Sequence, residues 1–396
     1  MKDRYAAAEY AYSHVPFYMD TKDKINLSEW DSIPKVSKKQ FISEGRTLLS
    51  LEYIMAYQRG ELLNYRTSGS TGLYMEIFWI KQDYIKSMLP FWMLRKKYYG
   101  ILPGDSRFSF FTHSPDYNND LYEEKENMLA VSKNVLYSDE FINAYEKIRN
   151  FKPRWAILQP SVAANIIYIK KKYGLPDITS LEYIECTGEM LSKQLKHQLG
   201  EEFHCKVANQ YGSFEANSMA YECPYGHMHL MAENVYIETD EENRAYITTL
   251  QNKAMPFVRY GIGDRLEIDN ITDCGCGNRN PVVKVIQGRE HECVSTYDGE
   301  VHSGCIHKIM DIINGCLDNL ISQYKVVQID VNRFVLYIVS FGCVQDDGIV
   351  IKMKQLFCEC YHEILGYRVS AEIIILDKLL PDENTGKLSS FERRFR

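Results

Sequence analysis

Over the first 200 residues, short strand-like apolar runs alternate with helix-like segments, and this alternation is the strongest constraint on the fold. It argues for an α/β sheet with helices packed on it. Residues 83–99 read as a helix with Pro90 as a kink, and residues 108–112 as a strand after the turn Pro103-Gly104-Asp105. Residues 161–173 read as a helix and 181–186 as a buried strand. Residues 235–238 and 245–249 read as a hairpin turning at 240–243. The pattern restarts after about Arg289: a helix over 305–317, a hairpin from 324–331 and 333–341, a helix over 349–365 and a strand over 371–376. These make a small α+β unit, so the chain divides into an N-terminal domain, 1–288, and a C-terminal domain, 289–396.

Composition narrows the function. With 46 basic against 53 acidic residues the chain carries a net charge of −7, and no basic stripe marks a nucleic-acid surface. The longest apolar run, 334–344, is far shorter than the roughly 20 residues that span a bilayer. The start, MKDRYAAAEYAYSH, lacks the apolar core of a secretory signal. Eleven cysteines cannot all pair with one another, so a reducing, cytoplasmic setting is expected. No nucleic-acid or membrane partner is expected.

Four polar motifs carry candidate chemistry. The loop Thr67-Ser68-Gly69-Ser70-Thr71-Gly72 offers hydroxyls, small residues and backbone N–H groups that can surround phosphate oxygens, without the Gly-Lys of a Walker loop. In Asn209-Gln210-Tyr211-Gly212-Ser213-Phe214-Glu215 an aromatic ring can stack on a base and Glu215 can hold a hard cation such as Mg²⁺. Phe257-Val258-Arg259-Tyr260-Gly261-Ile262-Gly263-Asp264 ends in a carboxylate suited to the two hydroxyls of a ribose. Pro381-Asp382-Glu383-Asn384-Thr385-Gly386-Lys387 is a polar turn presenting one lysine.

In this order the four motifs resemble those of the adenylate-forming superfamily, in particular its phenylacetate–CoA ligase-like branch. Val15-Pro16-Phe17-Tyr18, Ile33-Pro34-Lys35-Val36, Gly100–Asp105, Thr187-Gly188-Glu189 and Gly288-Arg289 strengthen the resemblance, which spans nearly the whole chain. It implies a large N-terminal α/β domain of the adenylate-forming type and a small mobile α+β C-terminal domain. It also implies roles. Thr67 to Gly72 hold the β- and γ-phosphates of ATP, Tyr211 with Gly212 meets adenine, and Glu215 reaches Mg²⁺. Asp264 binds the ribose, Arg289 contacts the nucleotide near the hinge, and Lys387 bridges the substrate carboxylate and the α-phosphate. His113 and Tyr117 fall where such proteins line the acid pocket. The chain departs from the pattern at Leu73-Tyr74, at Gly261 and Ile262 in place of Arg and Thr, and at Glu290-His291-Glu292 in the hinge.

The implied reaction activates a small carboxylic acid, with an aromatic one expected, as an acyl-adenylate and passes the acyl group to a thiol, most simply CoA. An amine or a carrier-protein thiol is the alternative acceptor, and a non-catalytic nucleotide-binding scaffold is the alternative of another class. The resemblance is compatible with a homodimer.

Two further half-sites stand apart: Cys223-Pro224-Tyr225-Gly226-His227-Met228-His229 and Cys274-Gly275-Cys276-Gly277. Three sulfurs and one imidazole can hold a structural Zn²⁺. His229 is the first choice of nitrogen ligand and His227 the alternative. The remaining eight cysteines fall mostly in apolar patterns and read as packing residues.

Overall fold

The computed structural model describes residues 4–67, 75–111, 121–137, 140–270, 273–289, 293–317, 320–340, 347–377, 379–380 and 389–395. The chain folds into two compact units, each built from two separate stretches: Met1–Leu102 with Asn209–Ile286, and Pro103–Ala208 with Gln287–Arg396.

In the first unit the strands Leu63–Arg66 and Glu76–Trp79 pair antiparallel, and the helix Lys81–Tyr99 follows. That helix runs through Pro90 and stops at Gly100, whose left-handed backbone lets the N–H groups of Gly100 and Ile101 close on the Lys96 and Arg95 carbonyls. The main sheet of this unit runs in the order Val235–Thr239, Arg244–Thr249, Tyr260–Asp269, Val282–Arg289, Met228–Leu230, Asn217–Glu222, Lys206–Ser213. The expected hairpin at 240–243 forms because the Asp240 carboxylate accepts the backbone N–H groups of Glu242 and Arg244, which closes the turn. Tyr12, Tyr18, Phe41, Trp79, Phe257 and Tyr260 are all buried and make an aromatic core under the sheet.

Arg259 ties this core together. It is 6% exposed and takes a left-handed φ of 46°. Its guanidinium donates to Glu238 Oε1 at 2.6 Å and to the carbonyls of Trp30 and Ile33 at 2.9 and 2.7 Å. Val36 pairs with Tyr260 through Val36 N–H to Arg259 O and Gly261 N–H to Val36 O. The N-terminal segment is thereby laid against the strand that carries Asp264. Arg259→Ala leaves Glu238 half-satisfied, removes the guanidinium donor from the Ile33 carbonyl, and leaves the Trp30 carbonyl with the Ile33 N–H. It is expected to lower unfolding stability by about 3–5 kcal/mol in a urea titration, and Arg259→Lys to recover only part of that, lacking the planar fork.

In the second unit the strands Tyr183–Thr187, Trp155–Leu158, Arg107–Phe111 and Met128–Ser132 run parallel in that order, with Tyr122–Lys125 antiparallel at the edge. Their near-continuous apolar sequences suit strands covered on both faces. The helices Phe141–Phe151, Pro160–Tyr173 and Lys193–Phe203 contribute buried residues to the core around these strands. The C-terminal stretch adds a four-stranded sheet in the order Ser370–Ile375, Arg333–Ser340, Ile321–Asp330, Phe391–Arg393, with the helices Gly304–Cys316 and Asp347–Leu365 sharing its core. The expected helix, hairpin, helix and strand are all present, and the strand Phe391–Arg393 and the hairpin Cys293–Thr296 with Gly299–His302 are additions to that expectation. Gln287, Gly288 and Arg289 continue the strand Val282–Arg289. Among the described residues no helix is long and apolar enough to cross a membrane.

Candidate active site and metal centre

Three of the four polar motifs meet in the first unit. The hairpin around the hydroxyl-rich loop is closed at its base by Thr67. The Thr67 N–H donates to Met75 O at 2.9 Å, and the Thr67 hydroxyl oxygen accepts the Met75 N–H at 2.8 Å. Thr67 is therefore engaged in holding the two ends of the loop together. Ser68, Gly69, Ser70, Thr71 and Gly72 lie outside the described residues. The hairpin docks on the second motif: Tyr65 stacks on Phe214 with ring centroids 5.5 Å apart, and Trp79 Nε1–H donates to the Phe214 carbonyl at 2.8 Å.

The second motif turns back on itself between the strands Lys206–Ser213 and Asn217–Glu222. Gly212 is obligatory there, since a Cβ would sit 2.4 Å from the Asn217 carbonyl oxygen. The turn places Glu215 in a buried position, where Tyr260 O–H points to its Oε1 at 3.5 Å. Burial, then the negative charges of Glu215 and Asp264, raise the Tyr260 hydroxyl well above the usual tyrosine range, so it stays a donor. Asp264 lies on the strand Tyr260–Asp269, and its Oδ2 accepts the Tyr211 hydroxyl at 2.6 Å. Tyr211, Gly212, Glu215 and Asp264 are thus gathered in one place, together with Tyr260, which no sequence motif marks as a site residue. Its only signal was its position inside the Asp264 motif.

Arg289 is the last residue of its strand, described here by its backbone alone. Lys387, His113 and Tyr117 lie outside the described residues.

The cysteine and histidine half-sites also converge in the first unit. One ligand atom each from Cys223, His229, Cys274 and Cys276 lies within 4.8 Å of the others. Two sulfurs on a tetrahedral zinc with arms of about 2.3 Å sit roughly 3.8 Å apart. Cys223 Sγ and Cys274 Sγ are 3.8 Å apart, and Cys276 Sγ lies 3.4 Å from His229 Nε2. His229 is fully buried, and its Nδ1 faces the Asn280 carbonyl at 2.9 Å. A carbonyl only accepts, so Nδ1 carries the proton and Nε2 presents its lone pair to the cluster. His227 stands beside this set, with its Nδ1 3.2 Å from Cys274 Sγ. Gly275 packs under the Tyr225 ring, which a Cβ at this position would meet at 2.7 Å and push aside.

Burial pushes the Cys223 thiol up to about 11. At Cys276 burial also opposes ionisation, but hydrogen bonds, first that from Tyr98, outweigh it and hold this thiol below the ordinary value. Tyr98 O–H reaches Cys276 Sγ at 3.6 Å, and Tyr99 O–H donates to the Glu222 carbonyl at 2.7 Å. The cluster therefore pins the end of the helix Lys81–Tyr99 to the strand that returns to Asn217, and Asn217 Nδ2–H donates to Ser87 Oγ on the same helix at 2.8 Å.

Of the other cysteines, Cys186 and Cys360 are buried, while Cys205, Cys293, Cys305 and Cys358 are half-buried. Cys316 is exposed, so the packing role does not extend to it; it sits at the solvent-facing end of the helix Gly304–Cys316. Cys343 lies outside the described residues.

A polar group in the second unit follows three of the parallel strands: Glu189 belongs to the Thr187-Gly188-Glu189 segment, whereas Lys133, Gln159 and Ser161 are not among the sequence motifs. Lys133 is buried and donates to Gln159 Oε1, and the Glu189 carboxylate accepts the Ser161 N–H and hydroxyl at 2.9 and 3.0 Å. Burial, partly offset by Glu189, lowers the Lys133 ammonium from its ordinary range. For Lys133 and Gln159 the sequence signal is a polar residue directly following an apolar run.

No known family profile matches the chain. Among similar proteins, CapK of Staphylococcus aureus is 20% identical over 361 residues, 87% of this chain and 78% of its own length. A phenylacetate-coenzyme A ligase of Thermus thermophilus is 30% identical over 158 residues, 36% of this chain and 35% of that enzyme. Among solved structures, 2-hydroxyisobutyryl-CoA ligase in the postadenylation state, in complex with R3-HIB-AMP, matches with a TM-score of 0.74 at 14% identity, covering 98% of this chain and 87% of that one. The chain has the fold of adenylate-forming CoA ligases, and over about a third of its length its sequence is similar to a phenylacetate-coenzyme A ligase.

Proposed function

We propose that this chain is an ATP-dependent acid ligase. It joins a small carboxylic acid, with an aromatic acid expected, to AMP, and then transfers the acyl group to a thiol, with CoA the expected acceptor. The observation that carries this reading is the meeting of Tyr211, Glu215 and Asp264 on one fold shared with CoA ligases.

In this reading the Tyr211 ring stacks on adenine, Asp264 accepts from the ribose, and Thr67 to Gly72 hold the β- and γ-phosphates. Arg289 contacts the nucleotide, and His113 and Tyr117 line the acid pocket. Mg²⁺, held by Glu215, offsets the charge of the polyphosphate when bound. The attacking carboxylate is already ionised at neutral pH, so the site has no need of a general base. Lys387, on residues 289–396, neutralises the charge that develops at the α-phosphate and leaves the site for the second half-reaction. Cys223, His229, Cys274 and Cys276 fit a four-ligand structural zinc, which keeps no open position for chemistry. The free thiols among the described cysteines support a cytoplasmic setting.

ATP–pyrophosphate exchange across a panel of aryl and short aliphatic acids tests the reading. At least one acid is expected to raise exchange well above the acid-free level. Silence across the whole panel would favour a non-catalytic nucleotide-binding protein. Mass spectrometry of the products with CoA and with amines then identifies the acceptor.

A further inference from the structure

We infer that Tyr211 has a second task, carried by its hydroxyl rather than its ring: it orients the Asp264 carboxylate and so sets the discrimination for a nucleotide bearing both ribose hydroxyls. The inference rests on the reading of Asp264 as the ribose partner.

The contact is specific. Tyr211 Oη lies 2.6 Å from Asp264 Oδ2, the length of a charge-assisted O–H···O⁻ bond. The two residues belong to the strands Lys206–Ser213 and Tyr260–Asp269, four steps apart in the sheet order. At about 4.8 Å per step a flat sheet would hold those strands roughly 19 Å apart. The first unit's sheet must therefore curl to bring them together, and the hydrogen bond is a product of that curl.

The consequence follows from the chemistry of a carboxylate. The terminal torsion of an aspartate is broad, so its plane turns easily unless something holds it. An ionised carboxylate accepts at about four lone-pair sites on two oxygens. A donor fixed on Oδ2 stops the plane from turning and leaves Oδ1, with one remaining site on Oδ2, facing outward. A vicinal diol then meets an acceptor that is already oriented. Tyr260, whose hydroxyl faces Glu215 and is kept protonated first by burial, adds no competing negative charge. Tyr211 is a positioning residue in this respect, whatever its ring does for the base.

The ring and hydroxyl roles separate experimentally. A lost stack weakens every adenine nucleotide by the same factor. A lost orientation falls on nucleotides whose ribose uses Asp264. Calorimetric titration of the full-length protein and Tyr211→Phe with ATP, 2′-deoxyATP and 3′-deoxyATP is the test. Wild type is expected to prefer ATP over at least one deoxy analogue. Tyr211→Phe is expected to weaken ATP by roughly tenfold, the usual size of a hydrogen bond to a charged group, and to shrink that preference by a similar factor. On an Asp264→Asn background the same change should no longer alter the preference, which also covers the case in which one variant folds poorly. An unchanged preference in Tyr211→Phe overturns the inference alone. Tighter ATP binding does so too, because it would mean that the hydroxyl competes with the ribose for Asp264. A wild type indifferent to both ribose hydroxyls overturns the ribose reading of Asp264, and the inference with it.

Discussion

Lys387→Ala is expected to slow acid-dependent ATP–pyrophosphate exchange by about 10²-fold or more while leaving ATP affinity nearly unchanged. A carboxylate approaching a polyphosphate meets mutual repulsion, and charge builds on the α-phosphate oxygens as the bond to pyrophosphate breaks. An ammonium placed there acts most strongly in the transition state, so its loss falls on kcat rather than on KM for ATP. Affinity for ATP is assigned to other groups, the Tyr211 ring, Asp264 and the loop closed by Thr67, which the substitution does not touch. Lys387→Arg keeps the charge but changes its shape, and should restore only part of the rate. Near-normal exchange in Lys387→Ala would remove this lysine from the chemistry.

The second large effect concerns the metal. Elemental analysis of unchelated protein is expected to give about one zinc per chain, the stoichiometry of a single four-ligand site. Cys274→Ala is expected to abolish that zinc and lower the melting temperature sharply, because binding energy at a structural site is also folding energy. The reason is visible in what the cluster joins: two hairpin turns, the end of the helix Lys81–Tyr99 and, through Asn217 and Ser87, the turn that holds Glu215. Exchange activity should fall with the loss of zinc, as a consequence of the lost frame. His229→Ala should behave like Cys274→Ala, and His227→Ala should keep the metal. The exposed Cys316, replaced by serine, serves as the control that changes neither. Metal-free wild-type protein of normal stability would reject the centre.

Much of the fold was legible because its signals are local. The helix Pro160–Tyr173 and the hairpin Val235–Thr239 with Arg244–Thr249 follow from apolar spacing and from turn chemistry within a few residues. The helix Gly304–Cys316 and the hairpin Ile321–Asp330 with Arg333–Ser340 were readable for the same reason. The Cys/His cluster was legible because two of the three sulfurs lie in one Cys-Gly-Cys turn and the third near two histidines. The choice between those histidines was not. It depends on Asn280, whose carbonyl fixes the His229 ring from 51 residues away.

Residue order alone sets which chemical groups the chain brings and in what sequence: a hydroxyl-rich loop, an aromatic ring with a carboxylate, a second carboxylate, a lysine and a set of soft ligands. Side-chain type and short spacing carry that information, since both act over a few residues. Which of these groups meet is set by how the strands pack in three dimensions. Thr67 is occupied in closing its loop, Tyr260 stands behind Glu215, and the Tyr211 hydroxyl reaches Asp264 across 53 residues of chain. Hydrogen bonds of this kind depend on sub-ångström placement of strands that pair only after the sheet has curled, and no local pattern in the sequence records that curl.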